Sequence, residues 1–122
     1  MNGNVLLVED ELLVALVLEK FLVSKGFNII GPFTTGKEAI ECLGKYDFQF
    51  AFLDIQLEDK ISGIEVGQAI RKQSEVPIVF STGNERSQIK SLIAELGSQV
   101  YFVPKPVDFD RLERILAGTE VS

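Results

Sequence analysis

Residues 50–59 read Phe-Ala-Phe-Leu-Asp-Ile-Gln-Leu-Glu-Asp. A run of large apolar side chains ends in a single carboxylate, Asp54. The run predicts a strand over 48–53, apolar on both faces except for Gln49. Strands of that kind belong to parallel sheets covered by helices on both sides. The carboxylate at the tip then needs a reason to be there.

The chain on either side repeats one pattern. Val5-Leu6-Leu7-Val8 reads as a strand, followed by a helix from about Glu11 to Lys25 that Gly26 stops. Asn28-Ile29-Ile30 reads as a second strand, closed by Gly31-Pro32. Thr35 and Glu38 form a capping box for a helix to about Leu43, and Ser62 and Glu65 form another for a helix to about Gln73. Val76 to Ser81 is the fourth strand. Ile89, Leu92, Ile93 and Leu96 recur at helical spacing as a core-facing stripe, and Gly97 ends that helix. Val100 to Val103 is the fifth strand, and Asp108 caps a last helix with Phe109, Leu112, Ile115 and Leu116 on its inner face. Five strand–helix units with short connections predict a doubly wound α/β sheet.

Composition limits the function classes. With 122 residues and 46% hydrophobic side chains, one domain spanning 1–122 has a sufficient core. The net charge of −6 repels phosphate backbones, so no direct nucleic-acid binding is expected. The chain has no histidine, which excludes a His-based triad or zinc site. Cys42 has no partner for an internal disulfide and reads as a helix filler. The longest apolar run, Leu12 to Leu18, falls far short of the roughly 20 residues of a membrane span. No signal peptide is visible, so a cytoplasmic protein is expected.

Ligands of open parallel sheets bind beyond the carboxyl ends of the strands. Those ends carry Glu9 and Asp10, then Asp54, then Ser81 and Thr82, then Lys105 between Pro104 and Pro106. Two carboxylates about 4 Å apart repel by roughly 4 kcal/mol at an effective dielectric near 20. Three together require a proton or a cation, and Lys105 supplies one positive charge. Magnesium suits a site of few carboxylates, retained waters and a phosphate oxygen. The competing reading makes Glu9, Asp10 and Glu11 a solvated first helical turn.

Four motifs, one per strand end, carry a resemblance: Leu7-Val8-Glu9-Asp10-Glu11, Phe52-Leu53-Asp54, Phe80-Ser81-Thr82-Gly83 and Val103-Pro104-Lys105-Pro106. Over nearly its whole length the chain resembles the receiver domain of two-component response regulators, of the stand-alone, chemotaxis-regulator-like type. The resemblance implies a flavodoxin-like (βα)5 fold with strand order 2-1-3-4-5. It implies that Asp54 is the phosphoacceptor, and that Glu9, Asp10, Asp54 and the Gln56 carbonyl hold Mg2+. Thr82 and Lys105 would meet the phosphoryl group, with the Lys105–Pro106 bond cis. Thr82 and Phe102 would be the switch pair, with Tyr101 on the other side of the strand.

The implied function is acceptance of a phosphoryl group from a histidine kinase or histidine phosphotransfer protein, switching the binding of a downstream protein partner. Activity would be limited to self-phosphorylation and slow autodephosphorylation, in a monomer or a phosphorylation-linked dimer. No membrane contact is implied. The alternative is a receiver-like interaction module independent of phosphate. An aspartate-nucleophile phosphatase would place a second aspartate where Gln56 stands, and a flavodoxin-like cofactor carrier needs a phosphate cradle where the first loop is acidic. Departures from the commonest pattern are Glu58 in place of a proline, a loop one residue longer before Gly63, and Asn84 and Glu85 after Gly83. Gln56 and Asn84 occupy positions that tune phosphoryl lifetime in such domains. With nothing predicted beyond Val121-Ser122, the output falls to another polypeptide, or the chain is a fragment of a longer one.

Overall fold

The computed structural model describes residues 2–83 and 87–120. Asn84 and Glu85 lie outside the described residues. Strands and helices alternate: β1 (Gly3–Val8), α1 (Leu12–Ser24), β2 (Phe27–Phe33), α2 (Gly36–Cys42), β3 (Phe50–Asp54), α3 (Gly63–Arg71), β4 (Ile78–Thr82), α4 (Ser87–Ala94), β5 (Val100–Pro104) and α5 (Phe109–Leu116). The strands form one parallel sheet in the order β2-β1-β3-β4-β5, as the resemblance implied.

β3 is the central strand, and all five of its residues are buried. Side chains alternate across the sheet, so each strand feeds two cores. Leu6, Ala51, Leu53, Ile78 and Phe80 pack with Ala39, Ile64, Ile70 and Ile93 from α2, α3 and α4. Val5, Leu7, Phe52 and Val79 pack with Leu18, Leu22, Leu112 and Ile115 from α1 and α5. Burying a large side chain such as Phe52 or Phe80 stabilises the fold by roughly 1.5–3 kcal/mol. The register sets Val8 opposite Leu53 and Asp54 opposite Ser81. Glu9, one residue beyond β1, is therefore level with Asp54.

The predicted caps form. Thr35 accepts the Glu38 N–H, Ser62 that of Glu65, and Asp108 those of Asp110 and Arg111. Four expectations need correction. Gly31-Pro32 does not close β2; the strand runs through both residues to Phe33, with a register shift between Leu6 and Val8. β2 is an edge strand, where proline costs no ladder bond. Gly31 has φ +112, and a Cβ there would stand 2.6 Å from the Leu7 carbonyl oxygen. β3 and β4 each start two residues later than expected, at Phe50 and Ile78 and not Phe48 and Val76, although the Gln49 N–H still reaches the Asn4 carbonyl at 2.9 Å. Leu92 is 42% exposed, outside the core stripe of α4. At 3.6 residues per turn, Ile89, Ile93 and Leu96 share one face and Leu92 falls on its flank.

No local pattern marks Arg71. Its guanidinium donates to the carbonyls of Val76 (2.7 Å), Leu96 (3.1 Å), Ser98 (3.2 Å), Ser74 (3.3 Å) and Gln99 (3.4 Å). These bonds satisfy loop carbonyls at the end of the sheet away from Asp54.

Candidate functional site

Three strand ends and one loop build the site. Glu9 follows β1 and is fully buried; its N–H is tied to the Phe33 carbonyl at 2.9 Å. Asp54 closes β3 and is 2% exposed. Thr82 closes β4, buried, and its carbonyl accepts the Lys105 N–H at 3.1 Å. That bond fixes the backbone from which the Lys105 side chain reaches back over the sheet edge.

Lys105 Nζ lies 3.1 Å from Asp54 Oδ2, 2.9 Å from Glu9 Oε1 and 3.2 Å from Glu11 Oε1. One ammonium thus faces three carboxylates. Ligand oxygens of Glu9, Asp10, Glu11 and Asp54 all lie within 4.8 Å of one another. Glu9 is buried and Asp10 half-buried in this cluster, so the solvated-turn reading fails for Glu9 and holds only for the exposed Glu11. Among the described residues Glu9 Oε1 accepts no hydrogen bond, although it pairs with the Lys105 ammonium at 2.9 Å. A buried carboxylate oxygen that accepts no hydrogen bond, within an all-oxygen donor set, fits a hard divalent cation.

The electrostatics follow from this crowding. Burial pushes the Asp54 carboxyl up to about 8; the Glu9 hydrogen bond and charge and the Asp10 hydrogen bond push the same way, against Lys105. Burial alone would lower Lys105, but its bonds to Glu9 and Asp54 hold it above the usual lysine range. Burial and the crowding of carboxylates around Asp54 therefore favour its protonated form where no cation is bound.

The remaining sequence candidates sit around this centre. The Gln56 N–H donates to Asp54 Oδ1 at 3.2 Å, and its side chain is exposed. Lys105–Pro106 is cis, as is Gly31–Pro32, which the sequence did not signal. Phe102 stands apart from the acid cluster, on the α4 side of β5. Its ring lies under Lys90 Nζ at 5.7 Å and borders a cavity of about 560 Å³ with Ile93, Val100 and Arg111. Tyr101 packs in the opposite core, as expected. Two participants went unread: Glu11 as a partner of Lys105, and Asp59, whose carboxylate accepts the Gly36 and Lys37 N–H groups at 2.9 and 3.0 Å. Neither contact is local in sequence, so no spacing rule exposes it.

Comparison with known proteins agrees with this fold. The family model described as response regulator receiver domain matches residues 5–117. Regulatory protein VanR of Enterococcus faecium is 32% identical over 106 residues, covering 87% of this chain and 45% of VanR. Aerobic respiration control protein ArcA of Escherichia coli is 31% identical over 103 residues, covering 84% of this chain and 42% of ArcA. The chain spans less than half the length of these relatives.

Among solved structures, the signal receiver domain of a modulated diguanylate cyclase from Desulfovibrio desulfuricans superposes with a TM-score of 0.86 at 28% identity, covering 98% of this chain and 94% of that one. The receiver domain of a Pseudomonas aeruginosa sensor histidine kinase gives 0.81 at 26% identity, covering 97% of each chain, and holds a magnesium ion in its active-site cleft. With its acids, threonine and lysine gathered at the carboxyl edge of a 2-1-3-4-5 sheet, the chain belongs to the response regulator receiver domain family.

Proposed function

We propose that residues 1–122 form one receiver domain that accepts a phosphoryl group on Asp54 from a histidine kinase or histidine phosphotransfer protein. The observation that carries this reading is the Asp54 carboxylate, buried at the sheet edge, 3.1 Å from Lys105 Nζ and within 4.8 Å of Glu9 and Asp10. An Asp54 oxygen forms the new P–O bond as the P–N bond to the donor imidazole breaks. Attack by water later releases inorganic phosphate and restores the carboxylate.

Phosphoryl transfer asks mainly for positioning and charge neutralisation. Glu9, Asp10, Asp54 and the Gln56 carbonyl would hold Mg2+, which supplies positive charge for the phosphoryl oxygens. Lys105 pairs with one of those oxygens, and Thr82 binds another through its hydroxyl. The all-oxygen cluster around the buried Glu9 and Asp54 carboxylates supports the metal assignment.

Beside Lys105 the surface is apolar. Leu13 is 77% exposed and, with Val17, Pro106 and Phe109, lines a cavity of about 560 Å³ that reaches Lys105. A protein donor docks over this face, where its imidazole gains access to Asp54. Phosphorylation adds about −1.5 to −2 charges. Thr82 moves toward them and Phe102 repacks, which alters the α4, β5 and α5 face for a downstream partner or a second copy of the chain. The domain acts as a switch in the cytoplasm, with no turnover beyond its own phosphoryl group.

The test is incubation with phosphoramidate and Mg2+, followed by intact mass. Wild type gains one phosphoryl group; Asp54→Asn does not. Equal modification of both proteins, or of neither, overturns the assignment.

A further inference from the structure

The eight-residue connection 55–62 between β3 and α3 closes on itself at its base. Its base is held by the backbone, with the Gly63 N–H bonded to the Ile55 carbonyl at 2.8 Å. A Cβ on Gly63 would overlap the Asp54 carbonyl oxygen, so only glycine closes the base this tightly. The crown of the loop is held from outside. The Glu58 N–H reaches the Thr34 carbonyl at 3.2 Å, and both Asp59 carboxylate oxygens take N–H groups from the start of α2. Ile61 packs against Gly36, where a Cβ would collide with it.

Two caps divide the N-terminus of α2. Thr35 Oγ1 accepts the Glu38 N–H, and the Thr35 carbonyl accepts that of Ala39. The Gly36 and Lys37 N–H groups go to Asp59, which lies 23 residues from Gly36 in the chain. A helix start leaves its first N–H groups without intrahelical partners. Here one residue satisfies two of them and couples the helix to the loop that carries Gln56. The bond to the Gly36 N–H, with that to Lys37, holds the Asp59 carboxyl below the usual aspartate range, as expected for an anion held by backbone donors.

We propose that Asp59 is a positioning residue for the metal site: by clamping the loop crown to α2, it fixes the Gln56 backbone beside Asp54. This inference rests on the assignment of the Gln56 carbonyl as a metal ligand. Partners that orient ligands from outside a metal site typically contribute 10–100-fold in affinity. The clamp acts through backbone and not on a ligand side chain, so the low end applies.

The experiment compares wild type, Asp59→Ala, Asp59→Asn, Thr35→Ala and Glu58→Gln. Mg2+ affinity is read by calorimetry, and amide exchange at Gln56 and Glu58 is read without metal. Asp59→Ala weakens Mg2+ about tenfold and speeds both amides. Asp59→Asn, which keeps one acceptor oxygen, falls between, and it stands in if the alanine variant does not fold. Thr35→Ala removes a cap from the same helix but leaves the loop tie, so its Mg2+ affinity stays within about twofold of wild type. Glu58→Gln, which removes a nearby charge and no clamp, does the same. Wild-type affinity in both Asp59 variants overturns the proposal, as does an equal loss in Thr35→Ala or Glu58→Gln. Faster exchange in Asp59→Ala with no Mg2+ binding by any variant, wild type included, refutes the metal assignment while leaving the clamp itself in place.

Discussion

Replacing Asp54 by asparagine removes the charge that the site tolerates least. At the separation of 4.8 Å or less found in the cluster, each carboxylate pair repels by about 3.5 kcal/mol at an effective dielectric near 20. Glu9 and Asp10, the two less exposed neighbours, together oppose an ionised Asp54 by about 7 kcal/mol (the exposed Glu11 is screened by water and left out), and Lys105 at 3.1 Å returns about 5 kcal/mol. The balance is about 2 kcal/mol against the charge, and desolvation adds to it with the same sign. The folded Asp54 carboxyl titrates near 8, against an ordinary value of 3.8. Between those values the folded protein holds a proton that the unfolded chain has released, so wild-type stability falls as pH rises through the window.

Asp54→Asn lacks this slope. In EDTA its thermal midpoint exceeds that of wild type by roughly 5–10 °C near pH 9, and the gap narrows toward pH 5. Mg2+ reverses the order by binding the ionised wild type more tightly. Differential scanning calorimetry across that range, with and without Mg2+, measures all three quantities. Equal midpoints near pH 9, or a gap that does not change with pH, refute the electrostatic account.

Two further outcomes test the scaffold and the docking face. Gly63→Ala forces its methyl group against the Asp54 carbonyl and costs about 3 kcal/mol or more, read as a fall in the urea midpoint; an unchanged midpoint contradicts the tight loop base. Leu13→Asp changes stability by no more than about 0.5 kcal/mol, because the side chain is exposed. It slows phosphotransfer from a protein donor at least tenfold and leaves phosphorylation by phosphoramidate unchanged; equal effects on the two donors argue against docking at α1.

The helix caps, the helix-ending glycines and the two-faced strands were legible because each is local. Thr35, Ser62 and Asp108 reach N–H groups two or three residues ahead, and period-2 and period-3.6 patterns sort core from surface. The resemblance carried the strand order and named Glu9, Asp10, Asp54 and Lys105, which the fold brings together. The errors in strand limits fell where a neighbouring strand decided the outcome. Gly31-Pro32 looked like a strand end, yet the edge of the sheet and the close approach of Leu7 keep it within β2.

By itself the sequence determined the alternation of elements, the two-sided burial of β3 and the set of polar residues at the carboxyl edge, since these depend on side-chain chemistry at fixed local spacing. Tertiary structure alone decided that Lys105 meets three carboxylates, that Glu9 is buried beside Asp54, that Arg71 gathers five carbonyls and that Asp59 caps a helix 23 residues away. Such contacts join groups distant in the chain, and their existence depends on a register and a loop path that no local rule specifies.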